Sequence, residues 1–272
     1  MRGNTQPMIE NFSFKNKYGV DDLLTIMAIL RGEGGCPWDA EQTHESIKKN
    51  FIEETYEVIE AINKNDKDLL CEELGDVMLQ VVFHAQMEKE IGTFDFSDVA
   101  DGICKKLIER HPHVFGDVEV DSVGEVLTNW DNIKRKSKGQ KDQAQSMLKI
   151  PKELPALMRA DKIQQKAHKA GFDWDSVDGA IEKLHEETAE LETAIRNGDT
   201  ENIKEELGDL LFSAVNISRF VDVDAEEALT QANDKFINRF VQVQKMANEI
   251  GLDMNNASLQ ELDALWDKAK ES

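Results

Sequence analysis

Ile181-Glu182-Lys183-Leu184-His185-Glu186-Glu187-Thr188-Ala189-Glu190-Leu191 is followed, after Asn197-Gly198-Asp199-Thr200, by Glu205-Glu206-Leu207-Gly208-Asp209-Leu210-Leu211. Ile181, Leu184, Thr188, Leu191 and Ile195 recur at steps of three and four, and Leu207, Leu210, Leu211, Ala214, Ile217 and Val221 do the same. That spacing predicts two amphipathic helices. Gly198 tolerates the left-handed backbone that ends one helix, and Asp199 or Thr200 can N-cap the next. The stretch therefore reads as a helical hairpin.

The first half of the chain carries the same pattern. Glu53-Glu54-Thr55-Tyr56-Glu57 and Glu72-Glu73-Leu74-Gly75-Asp76 match the second-half acids, each displaced by 133 residues. The four tryptophans form two pairs, Trp38 with Trp174 and Trp130 with Trp266, each displaced by 136 residues. Lys106-Leu107-Ile108-Glu109-Arg110 matches Lys235-Phe236-Ile237-Asn238-Arg239. The chain reads as a tandem duplication of one all-α unit. None of the five prolines falls within 51–91 or 181–221, where one would cost about 3 kcal/mol in a helix interior. Val118 to Val123 alternates like a strand but is short and lies between glycines, so it reads as a loop. The polar, lysine-rich stretch from Lys134 to Lys141 divides the chain. The expected organisation is an N-terminal unit over 1–140, a linker over 141–150 and a C-terminal unit over 151–272.

With 272 residues, 32 Lys+Arg against 54 Asp+Glu and a net charge of −22, the chain poorly suits general nucleic-acid binding, which needs basic surface. The lysine-rich stretch lacks interleaved aromatics and reads as a linker rather than a nucleic-acid patch. No apolar run approaches the roughly 18 residues of a membrane helix. The first residues show no apolar signal region, and three scattered cysteines support neither a disulfide framework nor a zinc site. The expectation is a cytoplasmic protein.

Helical positions three or four apart share a face. Glu187 with Glu190, and Glu206 with Asp209, therefore lie at the edges of the two apolar stripes. If the helices pack as a hairpin, four carboxylates converge, and like charges that close raise each other's pKa. A divalent cation resolves the conflict, and oxygen ligands without His or Cys suit Mg²⁺ or Mn²⁺. Solvated helix faces are the bland alternative, weakened by the exact repetition of the pattern. Gly208, having no side chain, could let another helix or a ligand approach closely. Lys183, Lys235, Arg239 and Lys270 supply cations that suit a polyphosphate, with surface ion pairing the alternative for Lys235 and Arg239. Trp266 is open to two readings, a base-stacking ring or a core side chain. Cys36-Pro37-Trp38-Asp39 reads as a turn with a packed tryptophan. His111-Pro112-His113 reads as a helix stop, and His168 and His185 have no identifiable partners.

Together with Gln42-Thr43-His44, His111 to Phe115, Leu154 to Met158 and Gly171-Phe172-Asp173-Trp174, these motifs resemble the MazG family of nucleoside triphosphate pyrophosphohydrolases over about residues 20–270. The resemblance implies hydrolysis of NTP to NMP and pyrophosphate, with Mg²⁺ and broad acceptance of ribo- and deoxyribonucleotides. It implies four-helix-bundle cores completed by dimerisation. It puts metal ligands at Glu187, Glu190, Glu206 and Asp209, and substrate contacts at Lys183, Glu186, Asp209, Lys235 and Arg239, with Trp266 and Lys270 near the nucleotide. Where family members often carry a lysine before the second acidic pair, Asn202 and Lys204 both remain open. The expected mechanism is metal-activated water attack on the α-phosphorus, with Glu186 and Glu187 as catalytic carboxylates. Glu54, Glu57, Glu73, Asp76, Lys106 and Arg110 form a second site, where Asn50 and Cys71 replace Lys183 and Lys204. The second unit is therefore expected to be the main catalyst and the first chiefly structural or regulatory. The rival reading is a non-catalytic dimeric scaffold that binds a regulatory protein partner such as a GTPase.

Overall fold

The computed structural model describes residues 12–137 and 143–270. Among them are thirteen α-helices and no strand. The chain divides into two compact units between Ile133 and Lys134.

The first unit comprises α1 (Val20–Arg31), α2 (Pro37–Glu41), α3 (His44–Lys64), α4 (Lys67–Glu90), α5 (Phe96–Arg110), α6 (Pro112–Phe115) and α7 (Val123–Ser137), the last running just past the boundary. The second comprises α8 (Gln143–Leu148), α9 (Ala156–Lys169), α10 (Val177–Asn197), α11 (Thr200–Phe220), α12 (Ala225–Glu249) and α13 (Leu259–Lys270). Helices α3 and α10 begin and end at positions 133 residues apart, so the repeat extends to the helix boundaries.

Local chemistry explains that agreement. The Thr43 side chain accepts the Ser46 N–H, and Ser176 accepts that of Asp178. Asn65 at φ 52° and Gly198 at φ 68° end α3 and α10 in the left-handed region. Asp66 and Asp199 then cap α4 and α11 by accepting backbone N–H groups. Each such cap is worth about 1 kcal/mol, and each turn leaves room only for an antiparallel neighbour. Helix α5 stops at Arg110 because Pro112 follows His111. Its counterpart α12 meets no proline and runs to Glu249.

In the first unit α4 packs on α1, α3 and α5, around Met27, Ile47, Val82, Phe83 and Met87. Arg31, almost buried, holds this unit's entry loop. Its guanidinium meets Glu90 at 2.8 Å and donates to the carbonyls of Asp39 and Gln42. In the second unit α11 packs on α10, α9 and α12, and α12 also packs on α9 and α13. Val243, Ala247, Leu265 and Ala269 join α12 to α13.

Several expectations change. Trp38 sits in the short helix α2 and is 60% exposed, so it is not the packed ring of a turn. Proline at the first helical position and Cys36 before it start a helix there instead. No helix of the chain approaches Gly208 or Gly75, where an added methyl group would meet open space. Val118–Ser122 is a loop, as read. Residues 1–11, and 138–142 of the lysine-rich stretch, lie outside the described residues; within 141–150, Gln143–Leu148 forms α8, packed on α9. No helix among the described residues is long and apolar enough to cross a membrane.

Candidate functional site

The α10–α11 hairpin brings Glu187, Glu190 and Glu206 together, with one carboxylate oxygen of each within 4.8 Å of the others. Glu187 is only 4% exposed. Asp209 stands one turn beyond Glu206, outside that trio. Burial, then the charges of Glu190, Glu187 and Asp209, push the Glu206 carboxyl above its ordinary value. The trio is an all-oxygen donor set with more negative charge than burial tolerates, which suits a hard divalent cation.

Lys183 lies one turn before this cluster. Its Nζ reaches Glu187 at 2.6 Å and Glu186 at 2.8 Å. Hydrogen bonds to Glu186 and then Glu187 push its pKa above the ordinary lysine value, so it is a permanent cation at the cluster's edge. Lys204 is exposed on the first turns of α11.

A cavity of about 770 Å³ opens beside the cluster, and Lys183, Glu187 and Asp209 form one wall. Ile163, Gln164 and Ala167 of α9, the loop Gly171–Trp174, and Phe212, Ser213, Asn216 and Arg219 of α11 form the rest, with Met147 of α8. The volume falls in the range of small-molecule sites. Arg219 meets Asp173 at 2.5 Å and donates to Asn216 Oδ1. Burial alone would raise Asp173, but hydrogen bonds from Arg219, the Trp174 N–H and His168 hold it below the ordinary carboxylate range. This ion pair fixes the loop that carries Trp174. The indole also lies directly on Gly179, where any Cβ would overlap it.

The remaining expected contacts are not brought to this cavity. Lys235 and Arg239 lie on α12, and neither forms an ion pair among the described residues. Trp266 packs on Phe236 with ring centroids 5.1 Å apart and joins the α12–α13 core. Lys270 pairs with Asp267 at 2.8 Å.

The first unit repeats the acids. Glu54, Glu57 and Glu73 meet the same 4.8 Å criterion, with Asp76 one turn on. Burial is the largest cause of the raised carboxyls of Glu54 and Glu73, followed by neighbouring charge and hydrogen bonding. Lys106 is exposed, and Arg110 lies 5.9 Å from the Trp130 ring. His111 packs on that ring and caps α5, as a helix stop should.

Sequence reading missed His168 as a partner of Asp173, and the polar cavity wall Gln164, Ser213, Asn216 and Arg219. The available signal was the repeat: Asn216 stands where the first unit has Phe83, a polar residue in an otherwise apolar register.

Comparison with known proteins gives matching results. The MazG nucleotide pyrophosphohydrolase domain matches twice, over residues 42–115 and 176–244. The chain is 45% identical over 254 residues to a nucleoside triphosphate pyrophosphohydrolase of Escherichia coli, covering 92% of this chain and 97% of the relative. It is 46% identical over 250 residues to the nucleoside triphosphate pyrophosphohydrolase/pyrophosphatase MazG of Thermotoga maritima, covering 92% and 95%. An uncharacterized protein of Bacillus subtilis is 47% identical over 251 residues, which is 91% of this chain and 51% of that protein.

Proposed function

The chain belongs to the MazG family of nucleotide pyrophosphohydrolases, and from that premise we propose how its residues carry out the reaction. It is an enzyme, a hydrolase that converts nucleoside triphosphates to monophosphates and pyrophosphate. The observation that carries the rest is the trio Glu187, Glu190 and Glu206, poised beside a cavity with a lysine at its rim.

Glu187, Glu190 and Glu206, with Asp209, would hold Mg²⁺, with Mn²⁺ as a substitute. When bound, the ion supplies neutralising charge to the triphosphate and lowers the pKa of a water molecule. Lys183 provides a fixed positive charge for phosphate oxygens, and exposed Glu186 is placed to orient water or take its proton. The family pattern adds Lys204, Lys235 and Arg239 as phosphate contacts, with Trp266 and Lys270 near the nucleotide. Water attack at the α-phosphorus, with broad acceptance of ribo- and deoxyribonucleotides, completes the reading.

Exposed apolar side chains support the homodimer. Ile181 and Ile195 of α10, Leu207 and Leu211 of α11, and Phe236, Ile237, Phe240 and Val241 of α12 all remain solvent-facing, more than a monomer usually leaves uncovered. The three free cysteines suit a reducing cytoplasm.

The test is incubation with a panel of ribo- and deoxyribonucleoside triphosphates and Mg²⁺, with product analysis. NMP plus pyrophosphate across the panel supports the reading. A single strongly preferred nucleotide would make the enzyme a specific house-cleaning hydrolase, and no turnover would favour the non-catalytic scaffold with a regulatory partner.

A further inference from the structure

We propose that the second-unit cavity is the nucleobase pocket and that Gln164 is its specificity-determining residue, accepting one N–H of the base. This rests on the triphosphate reading of the adjacent carboxylate cluster and deepens it.

Gln164 is 5% exposed and lines the cavity. Its Nε2 donates to the Phe212 carbonyl at 2.7 Å, which fixes the orientation of the amide. Its Oε1 is buried and has no protein partner. An unpaired buried acceptor costs about 1–3 kcal/mol, so a donor arriving from a ligand recovers free energy there. Around it the lining is mainly apolar, with Ile163, Ala167 and Phe212, and Trp174 presents an aromatic wall that is 44% exposed. An apolar slot with an aromatic face and one oriented acceptor is chemistry for a flat heterocycle carrying an N–H. Lys183, Glu187 and Asp209 close the same cavity, so a molecule with its base here carries its phosphates toward the acidic trio.

The first unit is the internal control. Gln164 is replaced by Ala28, Ile163 by Met27 and Asn216 by Phe83. Met27 is 1% exposed and Phe83 4%, and they pack together in that unit's core. The carboxylates are duplicated, but the corresponding space is filled with side chains. On this account the first unit can hold a cation and not a nucleoside.

The test pairs a protein change with a ligand change, using the intact chain with Mg²⁺. ATP is compared with purine riboside triphosphate, which lacks the exocyclic amine. CTP is compared with the 2-pyrimidinone riboside triphosphate, which lacks the corresponding amine of cytosine. The wild type should favour the amine-bearing member of at least one pair by about tenfold or more in kcat/KM. Gln164→Met, close to isosteric but without the acceptor, should erase that preference. Inhibition by inorganic tripolyphosphate, which has no base, should stay unchanged. If Gln164→Met fails to fold, Trp174→Ala serves: it should raise KM for nucleotides several-fold and leave tripolyphosphate inhibition alone. Preferences that survive Gln164→Met, wild-type indifference within both pairs, or equal losses for nucleotides and tripolyphosphate would overturn the proposal. A wild type that hydrolyses no nucleotide at all would instead overturn the function proposed above.

Discussion

Lys183 Nζ lies 2.6 Å from the nearly buried Glu187 carboxylate, one turn along the same helix. At the equivalent place before Glu54, the first unit has Asn50. The two acidic clusters are alike in geometry and differ in the charge that faces them.

Lys183→Asn, which installs the first unit's residue, should therefore lower kcat/KM for nucleotides by about tenfold or more, since a charge-assisted contact to phosphate is lost. Steady-state kinetics would check this, with circular dichroism confirming unchanged helix content.

Glu206→Gln should abolish pyrophosphate release with the helical content intact. Glu73→Gln should leave most of the activity. Comparable losses in the two variants would refute the division of labour between the units.

Stability should depend on pH in a specific direction. Glu54, Glu73 and Glu206 have folded-state carboxyls raised above their ordinary value of 4.5. Between that value and the raised one, the folded protein binds more protons than the unfolded chain, so their contribution falls as pH rises through the window. It is fully present below about pH 4.5. Added Mg²⁺ should reverse the loss and stabilise the protein more at neutral pH than at acidic pH. Melting curves with and without Mg²⁺ across that range would show it.

The dimer reading predicts that Ile195→Arg yields a folded monomer. Ile195 is 57% exposed in the single chain, so the change costs the protomer little and removes apolar surface from the interface. Sedimentation analysis should show the mass halved, and a wild-type protein that is already monomeric would remove this part of the account.

Gly208→Ala should stabilise the fold by about 0.5–1 kcal/mol, because the glycine is in a helix interior and its added methyl meets open space. Gly179→Ala should destabilise it by about 1–3 kcal/mol, because Trp174 must move. Denaturant melts would separate the two.

These glycines show where sequence reading succeeds and where it stops. The hairpins were legible because caps obey local rules: Asp199 accepts a backbone N–H, and Gly198 takes a left-handed backbone whatever surrounds it. The acidic trio was legible because helical periodicity fixes its face. Gly208 was read as a contact point, while the real close approach is at Gly179, since which helix passes which is decided by tertiary packing. Trp38 was expected inside and lies outside for the same reason. Gln164 and Asn216 look like ordinary polar residues until α9 and α11 enclose them.

The central claim is that the duplicated carboxylate clusters grip a divalent cation. Mn²⁺ binding followed by electron paramagnetic resonance tests it directly on the wild type, Glu73→Gln, Glu206→Gln and the double variant. The account predicts partial loss of bound Mn²⁺ in each single variant and loss to background in the double. A double variant that binds Mn²⁺ as the wild type does would contradict it.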